Sequence, residues 1–348
     1  MKERKIKNVE STSIGKVSRK NDDDIYIGEN FAAVIDGVSN KSSIKINGKE
    51  IRIAGIITEA LKKIDRPSAP TYAKELTFEE FVKYINMYIR KYCERYNISL
   101  TDKLLEATGV IYSKFYNQIW LVGDCRATYD DCVVEHELKI DEVYANIRVE
   151  IVKALLRDGY TEEELFEEDF SKSIIVKPET IPQYIKDDEK ARKLQEYIAD
   201  TMYQALLKSG FSKDEIEEQG LAQKYNNPKK LQDYLKNNPN AGEYGYAVFN
   251  GINTEVKNCI VQDLPSNVKT IKLSSDGFPI SSLMQNKDLG YAIRRNRILA
   301  KKDPLSIKEN KSVKKAVRQS DKSKFLAMDD ASAVCIEIKH IEERDDER

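Results

Sequence analysis

The chain has 348 residues, with 57 Lys and Arg against 58 Asp and Glu, so its formal net charge is −1. That balance excludes a general electrostatic attraction to nucleic acid or to anionic membranes. No apolar stretch approaches the ~20 residues of a membrane span, and the charged start lacks the apolar block of a signal peptide. We therefore expect a cytoplasmic protein that binds neither nucleic acid nor membrane.

Cysteine and histidine usage narrows the chemistry further. The five cysteines form no C-x-x-C pair, which disfavours a disulfide framework and a zinc knuckle. His136 and His340 are the only histidines, too few for a His-rich zinc site or a Ser-His-Asp triad. Neither G-x-x-x-x-G-K-[ST] nor G-x-G-x-x-G occurs, which argues against kinases and dinucleotide enzymes. Any reaction must use carboxylates, hydroxyls, Lys and Arg.

The first part of the chain, residues 5–37, is predicted to form strands separated by a polar turn. Its clearest strand is the apolar run Phe31–Ile35, which ends in Asp36-Gly37. So short an apolar run suits a strand buried on both faces, and Asp-Gly is a strong strand-ending signal. The Asp36 carboxylate is therefore expected at the edge of a buried core.

Two helices and a hairpin are predicted next. Apolar spacing indicates a helix over 51–64, and a capping box at Thr77 begins a second helix that ends near Tyr96. Residues 107–116 and 118–127 are rich in β-branched and aromatic side chains. They are expected to pair as two strands of a hairpin.

A change of composition marks an insertion. From 141 to 240 strand signals vanish, and acids, lysines, leucines and tyrosines recur at helical spacing. Gly159 and Gly210 are each followed by an aromatic residue and by a Thr or Ser with Glu three residues on, a pattern typical of one helix ending and another beginning. We predict one domain formed by 1–140 and 241–348, and a helical subdomain inserted over 141–240.

Strand signals resume after the insertion. The predicted strands are 244–249, 256–261, 270–274 and a final strand that follows Asp329-Asp330 and ends at Ile338. A helix is expected over 289–299. The basic stretch 308–324 is expected to be a solvated helix or loop, with contact to substrate as the alternative.

Acidic residues repeatedly abut these short apolar strands. They are Asp23, Asp24, Asp36, Asp124, Asp276 and Asp329. Each alone is consistent with ordinary turn chemistry, and their repetition is what predicts a shared site. Clustered carboxylates raise one another's pKa unless a cation neutralises them, and all-oxygen ligation selects Mg²⁺ or Mn²⁺. Two such ions ~4 Å apart can activate water and hold a phosphoryl group.

The order of the acidic motifs resembles that of the PP2C (PPM) family of metal-dependent serine/threonine phosphatases. The motifs are Arg19 with Asp23-Asp24, Asp36-Gly37, Gly123-Asp124-Cys125-Arg126-Ala127, Ser274-Ser275-Asp276-Gly277 and Asp329-Asp330-Ala331-Ser332. The resemblance covers 11–137 and 244–338. It implies an α+β fold, an α-β-β-α sandwich of two antiparallel β-sheets flanked by helices. It also implies a phosphatase that uses two Mn²⁺ or Mg²⁺ ions.

The resemblance assigns a first metal to the early motifs. Asp36 would bridge the two ions, and the carbonyl of Gly37 would bind one of them. Asp23 would complete the ligand set of that ion, and Asp24 would form a hydrogen bond to a water molecule bound to it. Since three Asp stand in a row, Asp22 is the alternative ligand. Asp23 stands where the family usually has Glu, which is one methylene longer.

The later motifs are assigned to the other ions and to substrate. Asp276 and Asp329 would hold the second metal, and Asp124 would join Asp276 around a third, weaker one. Arg19 would hold the substrate phosphate through its planar, permanently charged guanidinium. Water activated between the ions would then attack phosphorus without a covalent phosphoenzyme.

One departure concerns the leaving group. Some members of the family have a histidine after Asp-Gly that serves as the acid, whereas this chain continues with Val38-Ser39-Asn40. A metal-bound water or Lys41 would have to protonate the leaving oxygen instead.

The predicted function is hydrolysis of phosphoserine or phosphothreonine on a protein, with the helical insertion acting as a lid or as a docking site for a protein partner. Two alternatives stay open. One is a catalytically weak or inactive PP2C-like binding protein that uses the insertion as an adaptor. The other is a phosphatase of small phosphoesters or nucleotides.

Overall fold

The structure, a computed structural model, describes residues 4–14, 21–37, 44–46, 48–100, 105–136, 138, 159, 188–208, 210–218, 220, 233–277 and 331–340. The chain divides into two compact units. The first unit comprises Met1–His136, Tyr246–Asn296 and Asp329–Arg348, and the second comprises Glu137–Gly245 and Arg297–Met328. The domain boundaries given above, at 140 and 241, stay a prediction.

Strands make up most of the first unit. In chain order they are β1 (Arg4–Ile14), β2 (Asp24–Ile27), β3 (Phe31–Gly37), β4 (Ile44–Ile46), β5 (Lys49–Ile51), β6 (Ala107–Ser113), β7 (Gln118–Val122), β8 (Arg126–Tyr129), β9 (Cys132–Glu135), β10 (Cys259–Asp263), β11 (Thr270–Ser274) and β12 (Ala331–His340).

These strands form two five-stranded sheets and one small hairpin. The first sheet has the order β1-β12-β11-β8-β9, the second has the order β10-β7-β6-β3-β2, and β4 pairs with β5. Neighbouring strands run antiparallel throughout both sheets. The predicted α+β class with two antiparallel sheets is confirmed.

Two helices cover the outer face of the second sheet. They are α1 (Ile53–Asp65) and α2 (Phe78–Arg95), and both bury an apolar stripe. The predicted capping box is present at α2, since Thr77 Oγ1 accepts from the Glu80 amide at 3.3 Å and Glu80 Oε2 accepts from the Thr77 amide at 2.9 Å. Their apolar stripes pack around Trp120, which is fully buried.

The second sheet has a buried face on each side, and β3 shows how its residues are divided. Ala33 and Ile35 belong to the cluster under the helices, whereas Ala32 and Val34 belong to a cluster shared with the first sheet. Alternate side chains of a strand point to opposite faces, so an apolar run buried on both sides is what this position requires. The interpretation of 31–35 as a doubly buried strand is confirmed.

Three strand predictions differ from the structure. The strand predicted over 118–127 ends at Val122, and the chain then passes to the first sheet as β8. No strand forms over 244–249: the 3₁₀ turn Gly242–Tyr244 is followed by isolated bridge residues, among them Phe249, which pairs with Ala107. The strand predicted over 256–261 begins only at Cys259, after the 3₁₀ turn Val256–Asn258. In each case apolar spacing does not report where the chain turns or leaves a sheet.

The described part of the second unit is helical. It contains α3 (Asp188–Lys208) and α4 (Lys213–Glu218). Gly210 has φ +95° between them, and Ser212 Oγ accepts from the Glu215 amide at 3.2 Å, as the Gly and N-cap pattern predicts. Among the described residues, no helix is long and apolar enough to cross a membrane.

Several predicted features lie outside the described residues. They are the helix over 289–299, the basic stretch 308–324 and most of the insertion between 139 and 187.

A buried acid fastens the β2–β3 hairpin to α1. Asp65, 4% exposed, accepts hydrogen bonds from Tyr26 Oη at 2.9 Å, from the Asn30 amide at 3.0 Å and from Asn30 Nδ2 at 2.6 Å. Burial, together with the Asp65 carboxylate, raises the pKa of Tyr26, so the phenol stays a donor. The hairpin that carries the acids at its far end is thereby fixed to the helical layer.

We expect Asp65→Ala to lower the free energy of unfolding by about 3 kcal/mol, because it leaves several buried donors without an acceptor. Urea denaturation measures the loss. Glu94→Ala, an exposed acid on α2, is the control and should change stability by less than about 0.5 kcal/mol. Equal effects of the two substitutions would contradict this role of Asp65.

Candidate active site

One edge of the sandwich collects the ends of strands from both sheets. In the second sheet Asp36 pairs with Thr108, and Asp24 pairs with Ile35, so β2, β3 and β6 all reach this edge. In the first sheet Ser274 pairs with Arg126 and with Ala333. The acidic motifs of both sheets therefore lie at the same edge.

The turn Gly123-Asp124-Cys125 joins the two sheets at this edge. It follows the last residue of β7 in the second sheet and precedes β8 in the first. Gly123 has φ +84°, and a Cβ on it would lie 2.2 Å from Thr108 Cγ2. Only glycine fits here, because both the backbone conformation and the neighbouring side chain exclude a larger residue.

The pleat of the strands directs two of the acids inward between the sheets. On β3, Asp36 has the same parity as Ala32 and Val34, which pack against the first sheet. Next to β2, Asp23 has the same parity as Ile25, which packs on that same cluster. Asp23 is only 2% exposed. Both carboxylates are thus directed toward the layer between the sheets.

The pKa of the Cys125 thiol is sensitive to the negative charges at this edge. It is buried, and Thr108 Oγ1 lies 3.5 Å from its sulfur. Burial raises the pKa of Cys125 well above its usual value, and the negative charges of Asp36, Asp124 and Asp23 raise it further. Acids from three separate motifs therefore raise the pKa of the same buried thiol.

Gly37 lies against the backbone of the acidic run. A Cβ at this position would come within 2.6 Å of the Asp22 carbonyl oxygen. The Asp36-Gly37 motif thus contacts the Asp22 backbone directly, as a shared site for the two motifs would require. The choice between Asp22 and Asp23 as ligand stays a prediction.

Asp24 points the other way. Its Oδ2 accepts from Thr58 Oγ1 on α1 at 2.8 Å, and its Oδ1 accepts from the Ile25 amide at 3.0 Å. It shares the parity of Tyr26, whose ring also lies on the helical side. Asp24 therefore ties the acidic run to α1 in this structure, and its predicted bond to a ligand water stays a prediction.

Arg52 is a cation at this edge that the sequence motifs did not single out. It directly precedes α1, and its Nη1 donates to the carbonyl of Asp23 at 3.1 Å and to that of Asn21. The guanidinium thereby binds the backbone carbonyl groups of the residues before and after Asp22, from the side of the helices. Nothing in the local sequence separates Arg52 from an ordinary exposed arginine.

The first sheet contributes the Ser275-Asp276 motif. Ser275 donates its amide to the Ser332 carbonyl at 3.0 Å, and its Oγ accepts from the Ser332 amide at 2.9 Å. Both serines are fully buried. Asp276, which follows directly, is half-buried at the same edge. The start of β12 is thus bound to the motif that carries Asp276.

The donor chemistry of this edge fits a hard divalent cation, since it consists of carboxylates and backbone carbonyls. The described residues do not complete a ligand set: among them, no group of three or more His, Cys, Asp or Glu side chains is placed to hold a metal ion. The remaining predicted residues, namely Arg19, Val38, Ser39, Asn40, Lys41 and Asp329, lie outside the described part of the chain.

Comparison with known proteins gives matches among solved structures alone. No family model matches the chain, and no curated protein does. The serine/threonine phosphatase PstP/Ppp of Mycobacterium tuberculosis is 14% identical, with a TM-score of 0.40, over 96% of this chain and 99% of its own. The PPM Ser-Thr phosphatase MsPP of Mycobacterium smegmatis, in complex with cacodylate, is 13% identical, with a TM-score of 0.35, over 95% and 98%.

A further match is the catalytic domain of PstP in complex with two manganese ions. It is 12% identical, with a TM-score of 0.37, over 95% of this chain and 97% of its own. The chain is similar to PP2C-type serine/threonine phosphatases.

Gly123→Ala is expected to lower the free energy of unfolding by about 3 kcal/mol or more, because it adds a steric overlap with Thr108 to the cost of a positive φ. Gly48→Ala is the matched control. Gly48 also has a positive φ, +76°, but no described atom lies within 4 Å of its added Cβ, so only about 1 kcal/mol should be lost. Thermal or urea unfolding compares the two. A loss at Gly123 no greater than that at Gly48 would contradict the close contact with Thr108.

Proposed function

We propose that this chain is a metal-dependent serine/threonine protein phosphatase. The observation that carries the proposal is that the strand pairing brings the motifs of Asp23, Asp36, Asp124 and Asp276 to one edge of the sandwich. These four motifs lie far apart in sequence, and each carries a carboxylate, the donor type that a hard divalent cation prefers. A structural use of each acid as a separate turn residue gives no reason for that convergence.

Within this proposal the two sheets have separate tasks. By strand parity Asp23 and Asp36 lie on the inner face of the second sheet, and Asp124 lies in the turn where the chain passes from the second sheet to the first. Asp276 follows the end of β11 in the first sheet. Because these acids are carried by paired strands and a tight turn, their backbones are already held at one edge, which favours preorganised binding.

The predicted ligands of two Mn²⁺ or Mg²⁺ ions are Asp23, Asp36, the Gly37 carbonyl, Asp276 and Asp329, with Asp124 at a third ion. When bound, such ions would lower the pKa of water and neutralise charge on the phosphoryl oxygens. Arg19 would bind the substrate phosphate through paired hydrogen bonds. The proton of the leaving serine or threonine oxygen would come from Lys41 or from water.

The substrate class we propose is a phosphorylated protein, with the helical second unit selecting it. That unit has its own buried side chains, among them Met202, Leu206, Phe211 and Ile216, so it is a folded element rather than a charged tail. A folded unit of this kind offers a fixed surface to which a phosphorylated protein can dock.

Purified protein should hydrolyse a phosphothreonine peptide in the presence of Mn²⁺ and should lose that activity in EDTA. Asp36→Asn and Asp276→Asn are each expected to lower kcat/KM by at least about 100-fold, because each removes a charged ligand. Asp263→Asn is the control: this exposed acid on β10 lies outside the predicted ligand set and should retain full activity.

A panel of phosphopeptides and small phosphoesters distinguishes the alternatives. Faster hydrolysis of small phosphoesters than of phosphopeptides would favour the alternative of a small-molecule phosphatase. Binding of Mn²⁺ without turnover of any substrate would favour the adaptor alternative. Full activity in Asp36→Asn and Asp276→Asn would contradict the proposed site.

A further inference from the structure

The acids at the catalytic edge come from two sheets, and a polar cluster joins those sheets beside them. Asn21 lies two residues before Asp23, between the two sheets in sequence order, since β1 belongs to the first sheet and β2 to the second. Its side chain contacts Ser13 and Ser332 of the first sheet and the backbone of Asp23, the residue that precedes β2 of the second sheet. No motif in the sequence analysis included it.

Each end of the Asn21 amide has a distinct partner. Oδ1 accepts from the Asp23 amide at 2.9 Å, which fixes the backbone of the acidic run. Nδ2 donates to Ser332 Oγ at 3.3 Å and to Ser13 Oγ. The orientation follows from the chemistry, since only the amide oxygen can accept from a backbone N–H.

The two serines belong to neighbouring strands of the first sheet. Ser13 pairs with Ser332 in the β1–β12 register, and their hydroxyl oxygens are 2.9 Å apart. The two hydrogens of Nδ2 serve the two hydroxyls, and one hydroxyl donates to the other. Ser332 in turn exchanges two hydrogen bonds with Ser275, the residue before Asp276.

A continuous chain of hydrogen bonds therefore runs from the Asp23 amide through Asn21 and Ser332 to Ser275. On one side it ends next to the Asp23 carboxylate, and on the other it ends next to Asp276. Arg52 holds the same run from the helical side through the carbonyls of Asn21 and Asp23. The acidic run is thus fixed from both layers.

We propose that Asn21 is a positioning residue that sets the spacing between the metal acids of the two sheets, acting through Ser332. The inference rests on the proposed metal site and extends it to a residue that contacts neither metal nor substrate. Asn suits this task because it offers an acceptor and two donors without a charge. A carboxylate here would add a fourth negative charge to the run of three that follows.

The test combines Mn²⁺ affinity, read from the electron paramagnetic resonance signal of free Mn²⁺, with hydrogen exchange of the Asp23 amide in metal-free protein. Asn21→Ala should weaken Mn²⁺ binding by at least about tenfold and speed exchange at Asp23 by about tenfold. Ser332→Ala keeps the backbone bonds to Ser275 and should weaken Mn²⁺ binding by a similar factor.

The double variant Asn21→Ala/Ser332→Ala should lose little more affinity than either single variant, because both remove the same path. Asn30→Ala is the matched control. Asn30 lies at the opposite end of the same hairpin, where Nδ2 donates to Asp65 Oδ1 at 2.6 Å, and its loss should leave Mn²⁺ affinity unchanged within about twofold.

Three results would overturn the inference. Wild-type binding of Mn²⁺ with unchanged affinity in Asn21→Ala would overturn it and leave the proposed function intact. Fully additive losses in the double variant would show that Asn21 and Ser332 act independently. Absence of Mn²⁺ binding by the wild-type protein would overturn the proposed function and this inference together.

Discussion

The pleat of β3 is the constraint on which the candidate site depends. Successive side chains of a strand point to opposite faces of the sheet. Because Ala32 and Val34 pack between the sheets, Asp36, which has the same parity, also faces that layer. A shift of one residue in the pairing of β3 with β6 would turn Asp36 toward the helices and Ile35 toward the acids. The apolar residues of β3 thus decide where its one carboxylate is placed.

The same constraint separates the two neighbouring acids Asp23 and Asp24. Asp23 faces the layer between the sheets, whereas Asp24 accepts from Thr58 on α1. The acidic run therefore contributes one charge to the proposed metal site and one to the packing of the helical layer. A run of three Asp in the sequence gives no hint of this division, which appears only when the strand has two different neighbours.

Local chemistry is what the sequence predicted well. The doubly buried strand at Phe31–Ile35, the Thr77 capping box and the helix end at Gly210 each depend on a few adjacent residues. The repetition and the order of the acids at strand ends predicted a shared metal site, and the ligand role of each of these acids stays a prediction. Arg19 and Asp329 lie outside the described residues.

Long-range features could not be predicted in the same way. The passage of the chain between sheets at Gly123 depends on Thr108, which lies on another strand. The Ser13–Ser332 contact joins residues 319 positions apart, and neither serine differs in its local sequence from a solvated one. Arg52 and Asn21 were missed for the same reason, since their roles come from the partners that the fold brings to them.

A crystal structure grown with Mn²⁺ tests most directly whether acids from both sheets bind the same metal ions. Anomalous scattering at the manganese edge locates the ions independently of any assumption about their ligands. We expect anomalous peaks at this edge of the sandwich, within coordination distance of Asp36 and of Asp276. Anomalous peaks at other surfaces only, or no anomalous peak in crystals grown with Mn²⁺, would contradict a metal site shared by the two sheets.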